Sequence, residues 1–229
     1  MRLSQGQLNL LERCPRQFQH TYLDLFGSPT TAEQQARQAW GSRFHLLMQQ
    51  RELGLPIESL VREDLQLQHW MNAFATAAPE ILNNLEPNTN NIFRESEHYR
   101  TLQVQDYLLS VIYDLLIADD RQAQIFDWKT NPKLPKKSQL EKNWQTRLYL
   151  YVLAETSDYL PEQLSMTYWY VSSPVETLHV TSLHVFVEFL QLATHRSAVS
   201  SAKIDPKDST FPSLFVGMGR TVPRNLQGN

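Results

Sequence analysis

The stretch that decides the fold is Asp114-Leu-Leu-Ile-Ala-Asp-Asp-Arg-Gln-Ala-Gln-Ile-Phe-Asp-Trp-Lys129. An apolar run, Leu108–Tyr113, leads into Asp114, and after a polar turn a second apolar pair leads into Asp127 and Lys129. Because residues i and i+2 of a strand point to one face, Asp127 and Lys129 are predicted to project together beside Asp114. Two carboxylates and a lysine suit a divalent-metal phosphodiester hydrolase, in which the lysine stabilises charge or positions the attacking water.

The hydrophobic periodicity around this hairpin changes along the chain, from helical in the first third to strand-like after about residue 92. The order of elements predicts an α+β or mixed α/β core with an N-terminal helical region. Predicted helices cover Ser4–Phe26 with a break at Pro15, then Ala32–Leu53, Ser59–Leu85, Leu140–Glu155 and Leu183–Val199, and predicted strands cover Ile92–Tyr99, Gln103–Ile117, Gln124–Thr130, Leu164–Val171 and Thr177–Thr181.

The length and composition fit one globular domain. The chain has 229 residues, of which 41% are hydrophobic and 20% charged, as in ordinary soluble proteins. We expect a single domain over 1–210, with a mainly helical cap at 1–90 and a catalytic core at 91–200. A poorly structured tail is expected at 211–229.

The charge and the apolar pattern exclude some functions. A formal net charge of −3 argues against a passive nucleic-acid coat protein but permits a nuclease with a local basic groove. The sequence has no apolar run of transmembrane length and no signal-peptide core, so we expect a cytoplasmic protein without a membrane partner. A single cysteine, Cys14, excludes an internal disulfide and cannot by itself hold zinc or an iron–sulfur cluster.

Five segments, in the right order over about residues 3–200, resemble the RecB-like branch of the PD-(D/E)xK nuclease superfamily. The resemblance implies a restriction-endonuclease-like core, with a small mixed central sheet flanked by helices. One departure is Ser110-Val111, where the family usually has a glycine. The matching segments are the opening helix Ser4–Tyr22 with Cys14-Pro15, Gly41-Ser-Arg-Phe-His45, Ile112-Tyr113-Asp114, Ile125-Phe-Asp-Trp-Lys-Thr130 and Gln145-Thr-Arg-Leu-Tyr149.

The resemblance also implies a metal site for Mg²⁺ or Mn²⁺. The matching ligands are Asp114, Asp127, His45 and the backbone carbonyl of Trp128, an oxygen of the kind that hard cations accept. Each residue has a plainer interpretation. The Asp127 motif could be a salt-bridged strand face, His45 a buried core histidine, and the Trp128 ring a packing group. Glu97, on the strand before Asp114, could be an extra acid of the site or a solvated residue.

Three further residues match the family's catalytic set. Lys129 would orient or polarise the attacking water. Gln145 and Tyr149, four residues apart and so on one helical face, would hold the DNA backbone or support the site, although they could also be ordinary helix surface and core. Basic residues nearby would be a phosphate-steering patch or a solvated face: Lys133, Lys136, Lys137, Lys142 and Arg147.

Many RecB-like nucleases hold an iron–sulfur cluster through one cysteine in the opening helix and three near the C-terminus. Cys14 occupies the first of these positions, and the tail Phe211–Pro223 contains no cysteine. We therefore expect no cluster, with Cys14 as a small packing residue.

The implied function is a metal-dependent deoxyribonuclease, in particular an exonuclease of DNA repair, recombination or defence acting on single-stranded DNA or duplex ends. The sequence has no phosphate-binding Gly-x-x-x-x-Gly-Lys-Ser/Thr loop, so unwinding would need a helicase or recombination partner. One alternative is a non-catalytic nuclease-like module that binds DNA or a partner. Another is a phosphodiesterase for small substrates.

Overall fold

The structure is a computed structural model that describes residues 1–27, 29–77, 92–130 and 135–170, and the backbone of 176–181. The predicted helix Leu183–Val199 and the tail 211–229 lie outside the described residues. The helices are α1 (Gln5–Arg13), α2 (Pro15–Phe18) with a following π-helical turn (Gln19–Leu23), α3 (Ala32–Glu52), α4 (Glu58–Arg62), α5 (Leu65–Ala77), α6 (Lys137–Glu141) and α7 (Trp144–Glu155), and the strands are β1 (Arg2–Leu3), β2 (Phe93–Val104), β3 (Tyr107–Ala118), β4 (Ala123–Lys129), β5 (Leu164–Tyr170) and β6 (Glu176–Thr181).

These elements form the expected mixed α/β architecture, in which one small sheet is flanked by helices. The strand order is β1-β3-β4-β5-β6, with β2 paired to the other edge of β3. The β1–β3 and β4–β5 pairs are parallel, whereas the β2–β3, β3–β4 and β5–β6 pairs are antiparallel. The arrangement is that of a restriction-endonuclease-like core, so the predicted fold class is confirmed.

Two apolar clusters hold the helices against the sheet. In the first, α1 and α7 pack on the sheet through residues that include Leu8, Leu148 and Val152. In the second, α3 and α5 pack on the sheet through Phe44 and Phe74, among others. The sheet therefore lies between two helical layers, and side chains from either layer can reach its edge.

Strand β1 was not predicted from the sequence. It contains only two residues, and it pairs in parallel with β3 through Arg2 with Leu108 and Leu3 with Leu109. Leu3 is fully buried in the first apolar cluster. The first residues of the chain are thus part of the central sheet and are followed directly by α1.

The predicted helix Ser59–Leu85 is wrong as one element, because the described part contains two helices, α4 and α5. The side chain of Asp64 lies between them, and its Oδ1 accepts hydrogen bonds from the backbone N–H groups of Gln66 (3.0 Å) and Leu67 (3.2 Å). An aspartate in this position begins a new helix, and this ends the periodic run that the sequence shows.

The starts of two helices lie where the sequence predicts a start and a break, at Ser4 and at Pro15. The backbone N–H of Ser4 donates to Oε1 of Gln7 at 2.8 Å, which is half of a capping box. Pro15 begins α2, and the Sγ of Cys14 accepts a hydrogen bond from the backbone N–H of Gln17 at 3.4 Å. Cys14 is partly exposed, so it caps a helix and is not the packing residue that we expected.

Candidate active site

The two predicted acids lie where β3 and β4 separate. Pairing between these strands runs from Ala118 with Ala123 to Leu115 with Phe126. Asp114 and Asp127 are the next residues on each strand, just beyond the last pair. Oδ2 of Asp114 accepts a hydrogen bond from the backbone N–H of Trp128 at 2.7 Å, which bridges the two strands at this point.

Two side chains with metal-binding atoms, those of His45 and Glu97, converge on Asp114. The ligand atoms of His45, Glu97 and Asp114 all lie within 4.8 Å of one another. Nδ1 of His45 is 3.2 Å from Oδ1 of Asp114. The three side chains come from α3, β2 and β3, so the cluster depends on the packing of α3 against the sheet.

Gly41 permits that packing. A Cβ atom at Gly41 would lie 3.3 Å from the Oγ1 of Thr130, which is tighter than most Cβ contacts. The absence of a side chain lets α3 approach the end of β4 closely. His45 lies one helical turn further along α3, so this approach brings it to Asp114.

Glu97 reaches the cluster because of its place in the β2–β3 register. Ser96 pairs with Leu115 and His98 with Tyr113, so Glu97 lies across from Asp114. Its φ of 52° is in the left-handed region, which is unfavourable for a residue with a side chain. The sequence left open whether Glu97 belongs to the site, and the structure places its carboxylate there.

A second cluster surrounds Asp127, next to the first. Nζ of Lys129 is 2.6 Å from Oδ2 of Asp127 and donates to Oε1 of Gln145 at 2.9 Å. Nε2 of Gln145 donates in turn to Oδ1 of Asp127. As expected for residues i and i+2 of a strand, Asp127 and Lys129 project together. Asp127 is only 2% exposed, so its buried carboxylate depends on these contacts.

Tyr149 lies one turn after Gln145 on α7, on the side that faces the sheet. Its side chain is buried, and its backbone carbonyl accepts a hydrogen bond from the hydroxyl of Tyr113 at 3.0 Å. Burial and the negative charges of Asp127 and Asp114 raise the pKa of the Tyr149 hydroxyl, and this outweighs the lowering by a hydrogen bond to Gln145. The hydroxyl therefore stays protonated beside the acids.

Trp128 contributes backbone to the site and a side chain to the core. Its indole is 2% exposed and packs edge-on against Phe74 at 5.2 Å between ring centres. This matches the expectation that the ring packs. The backbone contact that joins Trp128 to the acids is its N–H, which Asp114 accepts. The proposed role of its carbonyl as a metal ligand remains a prediction.

The acids of the site repel one another. Burial, followed by repulsion from Asp114, raises the pKa of Glu97. Burial raises the pKa of Asp127 to about 6, with a smaller contribution from Asp114 and against the attraction of Lys129. Although burial lowers the pKa of His45, its hydrogen bond to Asp114 and the charges of Asp114 and Asp127 outweigh that effect and raise it. The three carboxylates of the site carry more negative charge than Lys129 and His45 can neutralise.

A divalent cation fits this donor set. Carboxylate oxygens are the preferred ligands of Mg²⁺ and Mn²⁺, and an imidazole is accepted by the softer divalent metals. A cation among Glu97, Asp114 and His45 would relieve the repulsion that raises the pKa of Glu97. The residues present are therefore suited to a metal centre.

The basic residues near the site are partly exposed. Lys136, Lys137 and Lys142 are exposed, and Arg147 is half-buried on α7. Lys133 lies outside the described residues. The phosphate-steering role of this group remains a prediction.

The fold and the site together define a restriction-endonuclease-like α/β protein with a cluster of acids, a histidine and a lysine at the end of its central strands. The family model of the PD-(D/E)XK nuclease superfamily matches residues 2–211, and the chain belongs to this superfamily. Membership of this superfamily supports the interpretation of the protein as a nuclease, which is a phosphodiester hydrolase with DNA as its substrate.

Other comparisons add less. None of the curated proteins matches the chain significantly. A solved structure described as "Crystal structure of SSO0001" is 15% identical, with 85% of this chain and 75% of that chain covered and a TM-score of 0.35. Within the described residues, no helix is both long and apolar enough to cross a membrane.

Proposed function

We propose that the protein is a metal-dependent deoxyribonuclease of the RecB-like branch that hydrolyses phosphodiester bonds from DNA ends. The observation that carries this proposal is the convergence of His45, Glu97 and Asp114 beside the Asp127–Lys129 pair. A surface salt bridge would need neither the histidine nor the extra acids. A buried core histidine would not face three carboxylates.

The ligands of the ion would be His45, Glu97 and Asp114, with Asp127 and the carbonyl of Trp128 as further candidates. When bound, Mg²⁺ or Mn²⁺ would lower the pKa of a bound water and offset the charge that develops on the phosphate. Oxygen atoms dominate this donor set, which favours these two cations over zinc.

The remaining residues would position the reacting groups. The ammonium group of Lys129 lies between Asp127 and Gln145. In this position it can orient water and stabilise an oxyanion. Gln145 fixes both members of this pair through one amide group, so it is a positioning residue. Tyr149, whose hydroxyl keeps its proton, can donate to a phosphate oxygen.

The test is cleavage of labelled single-stranded, duplex and circular DNA with Mn²⁺, Mg²⁺ or EDTA. Wild type is compared with Asp114→Asn and Lys129→Met, and with Asp120→Asn as a control in the exposed β3–β4 turn. We expect metal-dependent degradation of linear DNA that is lost in the two site variants and kept in the control.

Two outcomes would contradict parts of the proposal. Cutting of circular DNA would show an endonuclease and overturn the preference for ends. A folded wild type that binds DNA without cutting it under any metal condition would support the alternative of a non-catalytic nuclease-like module. Roles in repair, recombination or defence, and a helicase or recombination partner, follow from the resemblance alone and would be tested after activity is established.

A further inference from the structure

One edge of β3 is open between two short partners. On this edge β1 pairs only with Leu108 and Leu109, and β4 pairs only from Leu115 onward. Between them lies a cleft of about 410 Å³, lined by residues of β1 and the start of α1, by the β3 segment 110–112 and by Tyr149. Since Tyr149 also lies close to the acids of the site, the cleft adjoins the candidate metal centre.

Arg2 is the cation of this cleft, and among the described residues no anion neutralises it. Its Nε donates to Oγ of Ser110 at 3.0 Å, and its guanidinium carbon lies 5.4 Å from the centre of the Tyr99 ring. Both partners are neutral, and in the described ranges of the chain no carboxylate forms an ion pair with Arg2. The terminal nitrogens of the guanidinium therefore remain for a ligand, and their paired N–H groups match the oxygens of a phosphate.

The neutral groups of the cleft present further donors. The backbone N–H and the hydroxyl of Ser4 both donate to Oε1 of Gln7, at 2.8 and 3.0 Å. Because a backbone N–H can only donate, the oxygen of Gln7 must face Ser4, and its NH₂ group is left for other partners. Tyr149 adds a protonated hydroxyl. The described lining thus combines an uncompensated cation with hydrogen-bond donors and contains no carboxylate.

We propose that this cleft binds a backbone phosphate of the cleaved DNA strand, at a fixed distance from the scissile bond. The inference rests on the proposed nuclease function and names the part of the substrate that fixes the strand in the site. Ser110 and Asp114 are four residues apart on β3, which corresponds to about 13 Å at the rise of a strand. Arg2, which is held at Ser110, and the metal centre therefore contact different phosphates.

Two variants test the charge of the cleft and its free volume separately. Arg2→Gln removes the cation while the backbone pairs of β1 remain. Gly6→Leu adds bulk to the wall of the cleft without a clash, because Gly6 lines the cleft and a Cβ atom there would have no neighbour within 4 Å. Leucine is also the better helix former, so this variant should fold. The matched control is Arg121→Gln in the β3–β4 turn, whose residue makes hydrogen bonds through its backbone N–H and carbonyl.

Binding is measured apart from cutting. All variants are placed in an Asp127→Ala background, and fluorescence anisotropy follows a short labelled single-stranded oligonucleotide over a range of salt concentrations. We expect Arg2→Gln and Gly6→Leu to weaken binding about tenfold each, as for one lost charge-assisted contact, and Arg121→Gln to leave it unchanged. Arg2→Gln should also reduce the slope of log K against log salt by about 0.7.

A substitution scan of the DNA tests whether one particular phosphate is bound. Oligonucleotides carry a single neutral methylphosphonate at each position in turn. At one position, the methylphosphonate should lower the affinity of the protein with Arg2 about tenfold. The same substitution should not lower the affinity of the Arg2→Gln variant any further. An equal loss at every position, or no effect of Arg2→Gln and Gly6→Leu, would overturn the inference.

The outcome is distinguishable from that of the nuclease proposal. If the chain with all its site residues cuts DNA but the cleft variants bind normally, the nuclease stands and the cleft inference fails. If one phosphate maps to Arg2 but no metal supports cutting, the nuclease proposal fails and the cleft belongs to a DNA-binding module.

Discussion

Glu97 lies directly across the β2–β3 ladder from Asp114, in a left-handed backbone conformation with a φ of 52°. The two carboxylates share a cluster with His45, and repulsion from Asp114 helps to raise the pKa of Glu97. Both the backbone conformation of Glu97 and the charge of its side chain destabilise the fold. A residue of this kind is expected where it is retained for function and not for stability.

Replacing Glu97 with glycine should therefore stabilise the protein and inactivate it. Glycine adopts positive φ without strain, and the change removes a carboxylate that repels Asp114. We expect the free energy of unfolding in EDTA to rise by about 1 kcal/mol, while DNA cleavage and Mn²⁺ binding are lost. Urea denaturation, calorimetric metal titration and the cleavage assay measure the three effects.

Gln105 provides the matched control, because its φ is 51° and it lies in the exposed turn between β2 and β3. Gln105→Gly should bring a similar gain in stability with unchanged activity. If Glu97→Gly kept full activity, Glu97 would have no part in the site.

Gln145→Ala should damage both the fold and the activity. The change leaves Oδ1 of the buried Asp127 without its amide donor and removes the acceptor that holds Lys129. A buried group left unsatisfied costs about 1–3 kcal/mol, which urea denaturation will show. The cleavage rate should fall by at least about tenfold, a loss of about 1.4 kcal/mol of transition-state stabilisation.

The control for this change is Gln124→Ala, which removes a partly buried hydrogen bond to Thr167 on the same sheet. It should cost stability and leave activity unchanged. Equal losses of activity in both variants would show that Gln145 acts only through general stability.

Gly41→Val should lower activity by moving α3. The Cβ of a new side chain would already lie 3.3 Å from Oγ1 of Thr130, and the branched valine adds bulk at that point. We expect α3, and not only Thr130, to give way, so that His45 moves away from Asp114. We expect weaker Mn²⁺ binding in a calorimetric titration and slower cleavage.

Ala39→Val, at an exposed position of the same helix, adds a branched side chain away from this contact. It should leave metal affinity unchanged. Normal Mn²⁺ affinity in Gly41→Val would show that the close approach of α3 is not what positions His45.

Metal should stabilise the wild type through Asp114. A ligand at about a hundred times its dissociation constant adds about 2.7 kcal/mol to the free energy of unfolding, so Mn²⁺ should raise the melting temperature and EDTA should reverse the rise. Asp114→Asn keeps an oxygen to accept the N–H of Trp128 but loses the charge. It should fold and show little metal-dependent shift; a shift equal to that of the wild type would remove Asp114 from the ligand set.

Much of the site follows from local periodicity. The spacing of two brings Lys129 beside Asp127, and the spacing of four places Gln145 and Tyr149 on the buried face of one helix. Both were predictable, because each relation lies within a single element whose geometry is fixed by backbone hydrogen bonds.

Two features that the sequence left open or missed depend on relations between distant segments, and a third depends on a local side-chain hydrogen bond. The part played by Glu97 follows from the register of β2 on β3 and from an unusual backbone angle, and neither can be read from the residues alone. Strand β1 is two residues long and its partner lies more than a hundred positions away. The break at Asp64 arises because its side chain satisfied backbone donors that a continuous helix would have bonded internally.

The pairing of β1 with β3 has a consequence for how the protein assembles. During synthesis the residues of β1 leave the ribosome before those of β3, so Leu3 cannot pair until Leu109 has also emerged. The β2–β3 hairpin joins neighbouring segments and closes a short loop, whereas β1 closes a very long one, and contacts of that kind form late in folding. We therefore expect Glu97 and Asp114 to be brought together early, and Arg2 to take its place beside Ser110 only when the sheet is nearly complete.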